Sequence, residues 1–221
     1  MTNAGRRAEL QTARAEALAA LLDDLLPTRG DERLLDVGAG TGALAFALAA
    51  RVREVVALEQ DEELAARARR DAPANVEVVT GDGEALAFES FSFDLATCVR
   101  VLHHTQRPEV MVAELVRVTR PGGRLLVADQ LAPVDPLAAF ELNRFERARD
   151  PSTSRVLADG DLRALFDANN LVLRREHVVR ERRDLEAYLD LAGCEGDERE
   201  RALLLAPNDY EAVVCWYVLE R

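Results

Sequence analysis

The chemistry legible in this chain starts at a run of glycines. Residues 34–49, LLDVGAGTGALAFALA, read as a strand, a tight turn and a helix. Glycine at Gly38, Gly40 and Gly42 lets the backbone take positive φ and lets a ligand approach the main chain closely. The helix that follows points free N–H groups and the positive end of its dipole at that ligand. Such a turn suits a nucleotide-type cofactor. Gly38, Gly40 and Ala43 also satisfy the G-x-G-x-x-A form used for NAD. Glu59 ends the next strand, where an acid accepts hydrogen bonds from ribose hydroxyls in either cofactor.

Three features favour S-adenosylmethionine over NAD. Asp36 stands two residues before the first glycine, where an acid suits an ammonium and repels a pyrophosphate. Asp82, in TGDGEAL, closes a third strand and is placed to accept from an adenine amino group. RPGGRLLVAD, with Pro121, Gly122 and Gly123, is a turn into a fifth strand. Beyond these lies a pair of adjacent histidines, His103 and His104, just after the fourth strand. Histidine titrates near neutrality and can act as a general base, so the pair is a candidate for catalysis. The competing reading is that these rings cap or pack against a helix start. Neighbours on a helix point about 100° apart, so at most one of them faces a substrate.

The elements that must position these residues alternate. Strands are expected at Leu34–Val37, Val55–Leu58, Val76–Val79, Phe93–Val99 and Arg124–Ala128. Helices are expected at Ala43–Arg51, Asp61–Ala72 and Val110–Thr119. That is the pattern of a parallel sheet built from βαβ units. An N-terminal helix over Arg7–Leu26 either covers the sheet or closes over the cofactor. The last third reads as helices at Pro136–Arg149 and Asp159–Asn169, a strand at Leu171–Arg180, and helix from Leu185 to Leu205 broken near Gly193 and Gly196. A final strand, Ala212–Leu219, lacks its own crossover, so an antiparallel strand at the sheet edge is expected. Asn143, Glu146 and Arg149 or Asp150 share helical spacing, which fits a substrate wall or a solvated face.

Composition narrows the partners. Of 221 residues, 40 are Asp or Glu and 28 Lys or Arg, a net charge of −12 that repels a polyphosphate backbone. Nucleic acid is therefore a poor substrate. The three cysteines, Cys98, Cys194 and Cys215, are widely spaced without a CxxC, against a disulfide framework or a zinc site and in favour of the cytoplasm. No apolar run reaches the roughly 20 residues of a membrane span, and no signal peptide is visible.

The stretches LLDVGAGTG, VVALEQDEEL, VTGDGEALAF, FDLATCVRVLHH and ELVRVTRPGGRLLVAD occur in the order and spacing of a known family. The chain resembles a class I S-adenosylmethionine-dependent methyltransferase, similar to the ubiquinone/menaquinone biosynthesis C-methyltransferases, from about Arg33 to Asp129. ELNRFERARDPSTSR resembles a stretch found in one branch of that group. The resemblance implies an α/β fold: a Rossmann-like, mostly parallel seven-stranded sheet with helices on both faces and an antiparallel last strand. It implies one domain over 1–221, with a helical cap (1–30), a cofactor core (31–130) and substrate-side helices and final strands (131–221). It places Asp36, Gly38, Ala39 and Gly40 at the methionine moiety and Glu59 at the ribose. It places Gln60 against the adenine, Asp82 and Gly83 after Gly81 at its edge, and Val99 and Arg100 beside the sulfonium. There is no Asn/Asp-Pro-Pro-Tyr after the fourth strand, and Cys98 follows Thr97 rather than proline, so adenine amino groups and cytosine C5 are disfavoured acceptors. Val99 and Arg100 offer no acid for a magnesium ion, so Asp129 is expected to cap the fifth strand without metal. The resulting expectation is a methyltransferase for a small-molecule acceptor, monomeric or homodimeric. A protein or nucleic-acid methyltransferase and a non-catalytic S-adenosylmethionine-binding protein remain the alternatives.

Overall fold

The structure is a computed structural model that describes residue 18, residues 20–207 and residues 210–221. It divides into two compact units. One takes the chain through Cys98 with Glu114–Leu126 and Glu220–Arg221; the other takes Val99–Ala113 and Val127–Leu219.

The first unit is founded on apolar runs too short for helices. Arg33–Val37 (β1), Glu54–Glu59 (β2), Val76–Thr80 (β3) and Phe93–Val99 (β4) are strands. Leu34, Leu35, Val55, Val56, Ala57 and Leu58 are all buried, as expected for parallel strands covered on both faces. β2 and β4 pair in parallel with β1 on either side, and β3 pairs in parallel with β2. The chain order therefore reverses between β1 and β4, the switch point at which open α/β sheets bind ligands beyond their strand ends. Residues 20–25 (α1) carry buried Leu22 and Leu25, with buried Leu26 following. The rest of the expected N-terminal helix, apart from Leu18, lies outside the described residues. Ala43–Ala49 (α2) follows the glycine turn. Glu62–Asp71 (α3) starts at Asp61, whose carboxylate accepts from the N–H groups of Glu63 and Leu64. Pro108–Val118 (α4) runs directly into Thr119–Gln130 (β5), five residues earlier than the sequence suggests.

The seven strands are ordered β3-β2-β1-β4-β5-β7-β6, with Val172–Arg182 as β6 and Glu211–Glu220 as β7. β7 is antiparallel to β5. Gly122 and Arg221 exchange backbone bonds at one end (Gly122 N–H to Arg221 O, Arg221 N–H to Gly123 O), while Leu131 N–H meets Val213 O at the other. The antiparallel expectation holds, but the edge position does not: β7 lies inside the sheet and β6 forms its edge. The reason is compositional. AVVCWYVL is apolar on both faces and is buried along most of its length, whereas VLRREHVVRER is charged and mostly exposed. Charged strands tolerate an edge because they blunt pairing with other chains.

In the second unit Pro136–Arg149 (α5), Asp159–Ala168 (α6), Leu185–Leu191 (α7) and Gly196–Leu205 (α8) surround a cluster that includes Phe145, Leu189, Ala202 and Tyr210. Of the two sequence expectations for α5, the solvated face does not hold. Asn143, Glu146 and Arg149 are buried. Asn143 Oδ1 accepts from Val156 N–H, and Glu146 is surrounded by hydrogen-bond donors. The stripe is the polar part of a core.

Candidate active site

Asp36 lies in β1, one residue before the chain turns out of the sheet. Its side chain is 1% exposed. Thr97 Oγ1 donates to Asp36 Oδ1 at 2.6 Å, whereas Oδ2 is buried without a partner among the described residues. Burial pushes this carboxyl up to about 7; the Thr97 hydroxyl and the Ala45 N–H oppose the rise, and the charge of Glu59 adds to it. A buried acceptor left open is costly unless something fills it. The sequence shows Thr97 only as a polar residue in an apolar strand; the parallel register of β1 and β4 sets it directly beside Asp36.

The turn itself is shaped by positive φ. Gly40 has φ +57 and a β-carbon there would meet nothing within 4 Å, so the space over the turn is open. Gly42, at φ +92, caps α2, and a β-carbon there would collide with the Phe46 ring. Gly38 and Ala39 both donate to the carbonyl of Leu58. Glu59 then clamps the turn: Oε2 accepts from Gly40 N–H at 2.7 Å and Oε1 from Asp61 N–H at 2.9 Å. Gly81 N–H donates to the Glu59 carbonyl. Asp36, the 38–42 turn, Glu59 and Gly81 are thus joined at the ends of three neighbouring strands. Gln60 and Asp82 are exposed, and Gly83 is buried. Asp82 Oδ1 accepts from Glu84 N–H, closing its own turn.

Glu59→Ala is expected to weaken S-adenosylhomocysteine by about tenfold or more, because two backbone N–H groups lose a charged acceptor and the turn loosens. Glu59→Gln, which keeps one acceptor oxygen, should fall in between. Titration calorimetry reads the affinity. Wild-type affinity in the alanine variant would mean that the turn needs no clamp.

In the second unit, Val99 is half-buried and Arg100 holds a left-handed backbone at φ +61, a strained conformation for a side chain of this kind. Arg100 N–H donates to Ala128 O, and its guanidinium forks onto Glu181 at 2.9 and 3.1 Å. A 3₁₀ turn over Leu102–His104 follows. It brings His103 onto Asp129, with Nδ1 and Oδ1 2.6 Å apart, and Asp129 Oδ2 accepts the backbone N–H of His103. The sequence showed Asp129 only as a strand cap; its signal was an acid at the end of a strand in a βαβ array. His104 Nδ1 lies 3.0 Å from Ser152 Oγ, whose hydroxyl donates to Asp150. Burial, then the neighbouring His103, hold the His104 imidazole below its usual range. Among the described residues, no group of three or more His, Cys, Asp or Glu is placed to hold a metal ion. This unit also contains a cavity of about 900 Å³ walled by Gln130, Leu142, Arg144, Leu205 and Tyr210, but not by His103, His104 or Asp129. Size alone does not make it a reaction centre.

Residues 35–127 match the family described as a methyltransferase domain. The YcgJ protein of Bacillus subtilis (strain 168), named an uncharacterized methyltransferase, is 35% identical over 147 residues, covering 65% of this chain and 58% of that protein. A demethylmenaquinone methyltransferase of Clavibacter sepedonicus is 34% identical over 129 residues, covering 58% of this chain and 53% of its own. The chain thus spans little more than half the length of these curated relatives. The crystal structure of BH2331 from Bacillus halodurans C-125 superposes with a TM-score of 0.84 at 25% identity, covering 92% of this chain and 97% of that one. Residues 35–127 thus match a methyltransferase domain, and the fold is that of a class I methyltransferase. S-adenosylmethionine is the cofactor that goes with such a domain, and the orphaned oxygen of Asp36 beside an open glycine turn fits its ammonium group.

Proposed function

We propose that this chain transfers the methyl group of S-adenosylmethionine to a small-molecule acceptor. The observation that carries the reading is the buried, unpartnered Oδ2 of Asp36 at the head of the glycine turn. When bound, the cofactor supplies a methyl carbon on an already activated sulfonium. The chain's own work is to bind, orient and exclude water. Asp36 would hold the ammonium, with Gly38, Ala39 and Gly40 along the methionine moiety. Glu59 would take the ribose hydroxyls with the lone pairs left after clamping the turn. Gln60, Gly81, Asp82 and Gly83 would line the adenine. The small acceptor is supported by the activity named for the demethylmenaquinone methyltransferase relative and by the net charge of −12, which disfavours nucleic acid. The buried thiols of Cys98, Cys194 and Cys215 form no disulfide among the described residues, which fits a reducing cytoplasm, and no described helix is long and apolar enough to cross a membrane.

Thermal unfolding tests the reading. At 100 times its dissociation constant, S-adenosylhomocysteine should add about 2.7 kcal/mol, raising Tm by about 5–10 °C. NADH should leave Tm unchanged. A rise with NADH alone would replace this reading with a dinucleotide-binding one.

A further inference from the structure

We propose that the cavity of about 900 Å³ beside α5 is a binding site for an uncharged, mainly hydrocarbon small molecule. This does not rest on the methyl-transfer reading above. Every described residue lining the cavity lies in the second unit, so the site is complete within it.

The inner wall is apolar in effect, although two of its residues are polar. Ala132, Leu142 and Ala212 are buried there beside Gln130 and Tyr210. Gln130 Nε2 donates to Glu146 at 3.0 Å and to the Tyr210 hydroxyl at 2.6 Å, and its Oε1 accepts from Arg183 at 2.8 Å. The Tyr210 hydroxyl in turn donates to Glu146. Both N–H donors of the amide and the phenolic proton are therefore used inside the protein. A guest that needed a hydrogen bond here would have to break this network, and a buried polar group left unpaired is costly. A hydrocarbon guest asks for none.

The mouth favours the same guest. Val134 and Leu204 line the cavity, yet they are 95% and 87% exposed. Aliphatic side chains so open to water gain when they are covered, and a guest in the cavity covers part of both. Concave, mostly apolar hollows of about 300–1,000 Å³ are the usual form of small-molecule sites.

Charge excludes a strongly ionic guest. The described lining holds three acids, Glu141, Asp159 and Glu211, and one base, Arg144. Asp159 is paired with Arg163 at 2.7 Å, and Glu211 has Arg180 at 3.9 Å. Glu141 and Arg144 stand one turn apart on α5 and offset each other. Each acid thus has a cation nearby. A carboxylate guest would meet these acids, and an ammonium guest would have to compete with the arginines already beside them.

Fluorescence of N-phenyl-1-naphthylamine, an uncharged probe that brightens in apolar surroundings, tests the site. It should rise saturably on adding the protein, with a Kd of about 1–100 µM. Decanol should displace the probe at concentrations about tenfold or more below those needed of decanoate or decyltrimethylammonium. Ala138→Trp, which places an indole at the cavity wall from α5, should weaken the probe by about tenfold or more. Leu204→Lys alters only an exposed lip, keeps Tm within about 2 °C, and should weaken the probe by about threefold or more. Three results would overturn the proposal. Binding unchanged in both variants would put the probe elsewhere. Displacement by decanoate or decyltrimethylammonium as readily as by decanol would mean an ionic guest. Absence of probe binding, together with a dimer in sedimentation that Leu204→Lys dissociates, would give this face to a second copy of the chain.

Discussion

Asp36→Asn is expected to weaken S-adenosylhomocysteine by about 10²–10³-fold while making the unliganded chain more stable at pH 8. The two effects share one cause. Asp36 is buried, its Oδ2 is unpartnered, and burial raises its pKa from 3.8 to about 7. A raised folded-state pKa means that the folded chain binds the proton more tightly than the unfolded chain. The stability contributed by the neutral form is complete below pH 4 and is lost as pH rises toward 7. Above that, the fold carries a buried charge. At about 1.36 kcal/mol for each tenfold change in proton affinity, the rise to about 7 sets a ceiling of about 4 kcal/mol on what asparagine recovers. A gain of about 1–4 kcal/mol should raise Tm by several degrees at pH 8 and by little at pH 4. The loss of affinity follows because breaking a buried ion pair costs about 3–5 kcal/mol, and each 1.4 kcal/mol is tenfold. Wild-type affinity should itself fall as pH drops below 7, where binding must first release the Asp36 proton. Calorimetry at pH 6, 7 and 8 in buffers of different ionisation heat would count that proton. If asparagine binds S-adenosylhomocysteine as tightly as aspartate does, Asp36 does not hold the ammonium.

Glu146→Ala is expected to cost about 3–5 kcal/mol and to lower Tm by roughly 6–20 °C, without any role for Glu146 in the reaction. Its carboxylate is 2% exposed and accepts from four donors. Gln130 Nε2 and the Tyr188 hydroxyl reach it at 3.0 Å, Arg149 Nε at 2.9 Å, and the Tyr210 hydroxyl makes a short bond. Burial and the Glu146 charge push Tyr188 up to about 12 and Tyr210 higher still, so both hydroxyls stay protonated and donate. Two guanidinium groups also stack here, Arg149 over Tyr188 at 4.2 Å and Arg183 over the same ring at 4.4 Å. Removing the carboxylate strands a buried cation and two hydroxyls. Glu146→Gln keeps one acceptor and should lose less. Replacing Glu146 and Arg149 together by leucine should recover part of the loss, since no uncompensated charge remains. Thermal denaturation reads all three; a Tm for Glu146→Ala within 2 °C of wild type would show the cluster to be marginal.

The glycine turn and the four strands beside it were readable because their signals are local. A turn needing positive φ is written as glycine, and a parallel strand buried on both faces is written as a short apolar run such as VVAL. The same locality explains the misses. Nothing within AVVCWYVL says which neighbour it pairs with, so its place inside the sheet came only from the assembled strands, although the charges of VLRREHVVRER were consistent with an edge. Asn143, Glu146 and Arg149 looked like one face of a helix. That reading is correct, but helical spacing does not say whether a face meets water or two tyrosines more than 40 residues away.

The amino-acid sequence by itself determined the class of fold, the turn that meets a nucleotide-type cofactor and the acids around it, because each depends on residues adjacent in the chain or on one strand end. The tertiary structure alone decided that Asp129 stands behind His103, that Thr97 holds one oxygen of Asp36 and leaves the other open, and that Glu59 already clamps Gly40. Those pairs are separated by 26, 61 and 19 positions. A side chain's chemistry is set by the group 3 Å away, and across such separations only the folded backbone says which group that is.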